Sequence, residues 1–388
     1  MTRATPPLLR NLNERTVLEA IRTGAPISRA EISRRSGISK PTVSVALQSL
    51  LEANLVREAT ERPDGPGYGA VYFEPVPEAA LVLGLDVGAR FVRGAVCDLA
   101  GAIRARQDVE LPVAVVPEAV AAIERLRTSL FDASGLDRNR IDGVVVGVPG
   151  VVEHDSGLLR LAENVQGLEG RAFADELQSA LGLPVTLEND VNLAALGEQW
   201  QGVARGVDHF VFLSIGTGMG AGLVLDGELH RGRHGAAGEI DFALVGVDES
   251  LDPSALEIAQ LASRFSARQA DARALFGAAR NGDEAARAVV EEIARRIALH
   301  LAPIAAVADV ELVVLGGGIG ANGDLLLDPV GRLLADWLPF PPRMEVSTLG
   351  DAAVLTGALA VGLQAALENV FAKRPSLSAQ AQSVSGNA

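Results

Sequence analysis

The chain has 388 residues, 48% of them apolar, so it is long enough for two or three folded domains and too apolar to stay disordered. A net charge of −15 excludes a chain that is basic throughout, and a single cysteine, Cys97, excludes an internal disulfide framework and suits a reducing cytoplasm. Glycine or charge interrupts every apolar run, which predicts no membrane span, and the amphipathic opening LLRNLNERTVLEAIR predicts no signal peptide.

The charge is unevenly placed. Residues 1–57 hold nine Arg or Lys against four Glu, making a small basic head on an acidic body. Val17, Leu18 and Ile21 predict a helix over 11–23. Ser28 followed by Glu31 reads as a capping box, in which hydroxyl and carboxylate each satisfy a free backbone donor. Gly37 ends that short helix, and Ser39 caps a longer one, with Pro41 tolerated in the first turn. Ile32, Ile38, Val43, Leu47 and Leu50 close the two helices on each other. The result is a helix-turn-helix that presents Ser39, Lys40, Thr42 and Ser44 near the start of its second helix, where such helices meet base edges and phosphates. Arg29, Arg34 and Arg35 are placed to add DNA-backbone contacts, which position without specifying sequence. Val56-Arg57, ERPDGPGYG and AVYFEP then read as a β-hairpin wing, completing a DNA-binding domain over 1–74. A small helical module for protein contacts is the other reading of this pattern.

Pro75-Val76-Pro77 reads as a stiff hinge within a linker over 75–80. Beyond it, apolar runs at 81–85, 92–97, 143–148, 210–215, 221–225 and 311–315 alternate with helical patterns at 117–130, 171–181, 191–199 and 285–308, an α/β order with a largely covered sheet. GLDVGARFVRGAVCDLAG (84–101) aligns without a gap with LSIGTGMGAGLVLDGELHRG (213–232), setting Gly88 on Gly216, Gly94 on Gly222 and Asp98 on Asp226. Each copy predicts strand, tight glycine turn and strand, hence two related lobes with a cleft between them. Ala89 and Arg90 stand where the second copy has Thr217 and Gly218. The low-complexity end, 371–388, reads as a disordered tail.

The cleft chemistry follows from residue type. Backbone N–H groups of Gly216, Gly218 and Gly220 suit phosphate oxygens. Asp190 is placed to act as a general base toward a sugar hydroxyl, and Asn164, Asn189, Asp190 and Glu239 are short polar groups able to hold several hydroxyls. Taken one by one, each has a plainer reading: Asp190 as part of a helix cap with Asn189, Glu239 as a surface carboxylate, the glycines as turns. His230 and His234 are four apart, but Gly232 and Gly235 make that segment a loop, and no metal is expected there. Cys97 reads as a core residue; His154, His209 and His300 are isolated.

The head resembles the winged helix at the front of ROK-family regulators. The body, over 81–370, resembles the sugar-kinase-like domain of the same family through five motifs in family order: GLDVGAR; GVPGVVEHDSG with AENVQGLEG; LENDVNLAALGE; SIGTGMGAG with HRGRHGAAGE; and VVLGGGIG. The resemblance implies a winged helix-turn-helix joined to a two-lobed α/β actin-like ATPase fold, with self-association through the body. It also implies a nucleotide-phosphate-like site from Asp86, Gly88, Gly216, Thr217, Gly218, Gly316 and Gly317, sugar contacts from Asn164, Asn189, Asp190, Glu239 and Glu257, and Asp190 as a catalytic base that is vestigial in a sensor. The sequence departs from the family's kinases in the opening loop, Asp86-Val87-Gly88-Ala89-Arg90 rather than Asp-x-Gly-Gly-Thr. After Glu239, Asp241-Phe242 replaces Gly-His, and the cysteine-rich zinc loop is missing, so no zinc ligands remain. In the wing, GPGYG replaces the family's frequent Gly-Arg pair. These departures favour a sensor: a cytoplasmic, sugar-responsive repressor that binds double-stranded operator DNA as a homodimer or dimer of dimers and needs no cofactor. The alternative is an active sugar kinase using ATP and Mg with a DNA-binding head.

Overall fold

Helix α1 (Pro6–Gly24) buries Val17, Leu18 and Ile21, the predicted apolar face, and extends further back than the sequence pattern does. The computed structural model describes residues 6–60, 70–162, 164–243, 250–269 and 271–372. After β1 (Ile27–Ser28), the Ser28 hydroxyl accepts the Glu31 N–H at the start of α2 (Arg29–Ser36), which Gly37 ends in the left-handed region with φ 68°. Ser39 caps α3 (Lys40–Glu52) by accepting from Thr42 N–H. The capping box is only half formed. Instead of reaching back, the Glu31 carboxylate takes hydrogen bonds from Arg34 and Arg35, since two charged donors one turn on outweigh one neutral backbone N–H. Arg35 and then Arg34 hold that carboxyl below its usual pKa.

Strand β2 (Val56–Glu58) pairs antiparallel with β3 (Tyr72–Pro75), and β1 takes the other edge of β3. The wing tip GPGYG lies outside the described residues. The hinge reading of 75–80 does not hold. Pro75 is paired with Val56 in the sheet, Val76 N–H donates to Leu55 C=O, Pro77–Ala79 form a 3-10 turn, and Leu99 N–H donates to Pro77 C=O. Proline fixes φ here, and the Val76 N–H, Val76 C=O and Pro77 C=O groups find partners. One apolar cluster runs on from Leu18, Ile21 and Leu47 in the head to Leu99, Leu355, Leu359 and Leu363 in the body. The head is therefore seated on the body.

The body continues with β4 (Leu81–Val87), β5 (Phe91–Asp98), β6 (Ile103–Glu110), α4 (Val116–Ser134) and β7 (Ile141–Val148). A small hairpin, β8 (Val151–Val152) and β9 (Leu159–Arg160), precedes α5 (Phe173–Leu181), β10 (Val185–Asn189) and α6 (Asp190–Gln201). The second lobe holds β11 (Phe210–Ile215), β12 (Met219–Leu225), β13 (Glu228–Leu229), α7 (Ile258–Arg264), α8 (Ala272–Arg280), α9 (Glu284–Ala308), β14 (Leu312–Gly316), α10 (Gly317–Gly320), α11 (Gly323–Trp337) and β15 (Arg343–Val346). Helix α12 (Ala353–Ala372) closes the described chain, so the tail predicted from 371 starts no earlier than 373, outside the described residues.

The two five-stranded sheets have orders β10-β7-β4-β5-β6 and β13-β12-β11-β14-β15. In each, the first strand sits centrally, the next two form an antiparallel meander on one side, and the last two run parallel on the other. The topologies are identical, which bears out the internal repeat. The matched glycines Gly94 and Gly222 serve one purpose: a Cβ at Gly94 would sit 3.0 Å from Leu130 of α4, and one at Gly222 2.8 Å from Ala195 of α6.

Helix α12 crosses back over the first sheet and packs on α6, where a Cβ at Gly357 would collide with Leu193 C=O and one at Gly197 with Ala353 C=O. It corrects the expectation that no apolar run reaches membrane-span length. Gly350–Phe371 meets that length and hydropathy, and its apolarity is accounted for by the β4, β5, β7 and α6 surfaces it covers.

Candidate functional site

The head offers an exposed polar edge. Arg29, Ser39 and Lys40 are exposed, and Thr42 and Ser44 are half-buried. Ser39 and Thr42 hydroxyls lie 2.8 Å apart, and Ser44 Oγ donates to Lys40 C=O, so the small hydroxyls shape the helix start. Arg29 and Lys40 have no ion pair among the described residues, whereas Arg34 and Arg35 are occupied by Glu31. Val45, 58% exposed on α3, went unnoticed in the sequence because it breaks the polar pattern; a branched apolar side chain there suits a thymine methyl group.

The body cleft gathers carboxylates. Asp190 opens α6 directly after β10; one of its oxygens accepts Val191 N–H at 2.8 Å. Burial first, then the charges of Asp86 and Glu239, push its pKa up to about 7. Asp86, 6% exposed at the end of β4, is raised to about 6 by burial against the opposing pull of Arg93, whose Nη1 donates to it at 3.0 Å. Glu239 is also raised by burial. Asp190 thus feels the charges of Asp86 from the first lobe and of Glu239 from the second. Asn189 is spent structurally: its Oδ1 caps Asn192 N–H and its amide donates to Gly150 C=O, both at 2.9 Å. Asn164 is exposed on the loop after β9, Glu257 stands at the head of α7, and neither is tied to this group by a hydrogen bond among the described residues.

The glycine turns divide by cause. Gly88 N–H donates to Phe91 C=O and Gly216 N–H to Gly218 C=O, each at 2.9 Å, and the first turn is one residue longer, since Val87 pairs with Val92 whereas Ile215 pairs with Met219. Added Cβ atoms at Gly216 and Gly218 would meet nothing, and Thr217 is exposed, leaving room for an anion. Gly316 and Gly317 are fixed by packing instead. A Cβ at Gly316 would overlap the Phe212 ring, and Gly317, at φ 75°, would strike Ile215 C=O. Arg90 is exposed and lies over the Phe91 ring; the cation that reaches into the cleft is Arg93. Phe242 is 58% exposed. Cys97 is buried, its thiol pushed up to about 12 by burial and Asp98. Among the described residues no group of three or more His, Cys, Asp or Glu is arranged to hold a metal ion.

Sequence reading missed Arg93, Glu188, Arg231 and Glu198. Glu188 is buried and takes hydrogen bonds from Asn189, Asn192 and Arg231; Glu198 is fully buried and accepts from Val203 N–H and Ser347. Arg93 stands opposite Asp86 because the β4–β5 hairpin turns over 88–91 and pairs Val87 with Val92, a register that the glycine turn alone does not fix.

Two family models match separate stretches of the chain. Residues 82–365 match the ROK family model, and residues 10–65 match a model of the MarR family. A putative xylose repressor from Caldicellulosiruptor sp. (strain Rt8B.4) is 27% identical over 384 residues, covering 91% of this chain and 96% of that one. A glucokinase from Thermotoga maritima is 31% identical over 270 residues, 62% of this chain and 84% of that one. The crystal structure of a ROK family transcriptional regulator, a homolog of the E. coli Mlc protein, superposes with TM-score 0.77 over 94% of this chain and 98% of that one; at 23% identity, this likeness concerns the fold.

Proposed function

This chain belongs to the ROK family, and we propose that it is a sugar-responsive, DNA-binding transcriptional repressor with its kinase-like body as the sensor. One observation carries the reading: a capped helix-turn-helix is seated, through a continuous apolar core, on a two-lobed body whose cleft holds three carboxylates. In the head, Arg29 and Lys40 neutralise phosphates while Thr42, Ser44 and Val45 face base edges. In the cleft, Asp190 accepts a sugar hydroxyl, joined by Glu239, with Asn189 holding the start of α6 in place; Asn164 and Glu257 reach the sugar only if the lobes close further. A single helix-turn-helix offers a small base-reading surface, so the chain acts as a homodimer on a two-fold operator, or as a dimer of dimers. It works without nucleotide, magnesium or zinc.

Active sugar phosphorylation is the second reading, favoured by Asp190 and by the open turn at Gly216–Gly218. Two features weigh against it. The Asp86 carboxylate is already neutralised by a fixed guanidinium, and Phe242 offers no hydrogen bond to a hydroxyl. Calorimetry with D-xylose, D-glucose and N-acetyl-D-glucosamine, alongside an ADP-release assay with Mg-ATP, separates the two. The sensor reading expects one sugar to bind, Asp190→Asn to weaken it at least tenfold, and no ADP release. Sugar-dependent ADP release at enzymatic rates would establish the kinase instead.

A further inference from the structure

We infer that Arg231, held by Glu188, is the positioning residue through which sugar binding in the cleft reaches the DNA-binding head. The inference deepens the sensor reading and rests on it. Arg231 and Glu239 lie at the two ends of one short loop. That loop is closed on itself by the hydrogen bond from Ala237 N–H to Arg231 C=O (3.2 Å), and pinned to β12 by His230 N–H on Leu223 C=O and by Ala221 N–H on Gly238 C=O. Gly238, at φ 99°, sits so close to Ala221 that a Cβ would collide with its carbonyl. A displacement of Glu239 by a ligand is therefore passed to Arg231 by the loop as a unit.

Glu188 ties the same arginine to the other side of the cleft. Glu188 Oε2 accepts Arg231 Nε at 2.6 Å, while Oε1 accepts Asn189 N–H and Asn192 Nδ2, both at 2.9 Å. These are the residues that start α6 and present Asp190. Arg231 thus joins the loop of the second lobe to the strand end of the first, and closing the lobes on a sugar must move or reload this charged bond. Asn192 Oδ1 is buried beside it with no partner among the described residues, so the cluster is one donor short in this arrangement.

The arginine is then in reach of the head. With Leu196, Gln199 and Trp200 from the far half of α6, it lines a cavity of about 710 Å3 that is also lined by α1, through Leu18, Glu19 and Arg22, and by α12, through Leu363, Gln364 and Leu367. Helix α1 packs directly on α3, the helix that carries Lys40 and Thr42. Close-packed cores resist graded deformation, so open volume at this place gives α1 room for a second seat. Asp190 reaches the cavity along α6, and Glu239 reaches it through Arg231.

The test uses the full chain, a duplex selected by it from a randomised pool, and D-xylose, D-glucose and N-acetyl-D-glucosamine as probes. Operator affinity is measured without and with saturating sugar, and sugar affinity is measured without DNA. In the wild type, one sugar is expected to change operator affinity by about tenfold or more, within the usual range of coupling between sites. Arg231→Ala and Arg231→Met should keep operator affinity and sugar affinity within about threefold while the sugar-driven change drops below twofold, the signature of lost coupling. Arg231→Lys should recover part of it. The methionine variant keeps the aliphatic stem and carries the test if alanine fails to fold. Full coupling in Arg231→Met, or loss of sugar binding itself, overturns the inference while the sensor reading stands. A wild type that binds its operator but answers no sugar overturns the sensor reading, and this inference with it.

Discussion

Asp190 shows how much one carboxylate's surroundings decide. In the unfolded chain it titrates near 3.8, and in the folded chain near 7, so the folded state holds this proton more tightly. Its contribution to stability is therefore greatest at low pH, and declines as pH rises from about 4 to 7. Asp190→Asn removes that decline: between pH 5 and pH 8 the wild type should lose denaturant resistance relative to the variant, and parallel profiles would refute the shift. Asp86, near 6, acts with the same sign in both proteins, although removing Asp190 also relieves part of its charge. Sugar affinity should fall as pH drops through 7, because the protonated carboxyl accepts hydroxyl donors less well. The glycines make a second residue-level contrast. Gly316→Ala, forced against Phe212, should cost about 1–3 kcal/mol, as overpacked cores do. Gly218→Ala, facing open space, should leave the denaturation midpoint nearly unchanged. Sequence alone could not separate the two, because both lie in glycine-rich stretches after an apolar strand, and only the fold sets Gly316 at a strand end against Phe212 and Gly218 in an open hairpin turn. Asp190 was legible from LENDVNLAALGE, but Arg93 needed the β4–β5 register, and Arg231 needed contacts across the cleft.

Helices α2 and α3 were legible because their ends are written in single residues: Ser28, Gly37 and Ser39 stand at the caps as expected. Only the Glu31 half of the capping box failed, where local charge outbid a backbone donor. Edge strand β6, IRARQDVE, stayed hidden although Ile103, Ala105 and Val109 alternate with charged residues, because Gln107 interrupts the pattern and most of its residues are exposed. Helix α12 stayed hidden for the opposite reason: covered by the sheet on one side and α6 on another, it has no strong polar stripe to mark its period. At this scale the recognition helix is the element to test. Lys40→Ala with Thr42→Ala should abolish preference for the operator over random duplex, and Lys40→Ala alone should lower the salt dependence of binding by about one phosphate contact. A double variant that binds its operator like the wild type would remove α3 from the recognition surface.

The duplicated lobes were visible in the whole chain because matching glycine turns survive in both copies, and the two sheets then proved to share one strand order. The seat of the head was not visible, since it is made by α1 from one end of the chain and α12 from the other, where no local pattern relates them. That seat joins a DNA-binding head and a sugar-kinase-like body: Leu18 and Ile21 share a core with Leu359 and Leu363, and the sensor proposal requires lobe movement to pass through this core to the helix beneath α3. The measurement that bears most directly on this is fluorescence anisotropy of the full chain on its selected operator at fixed salt, with and without each sugar. Tight, sequence-dependent binding that one sugar relieves by about tenfold or more is the expected result. Binding no stronger than to random DNA, or operator binding that every sugar leaves untouched, would contradict a sugar-responsive repressor.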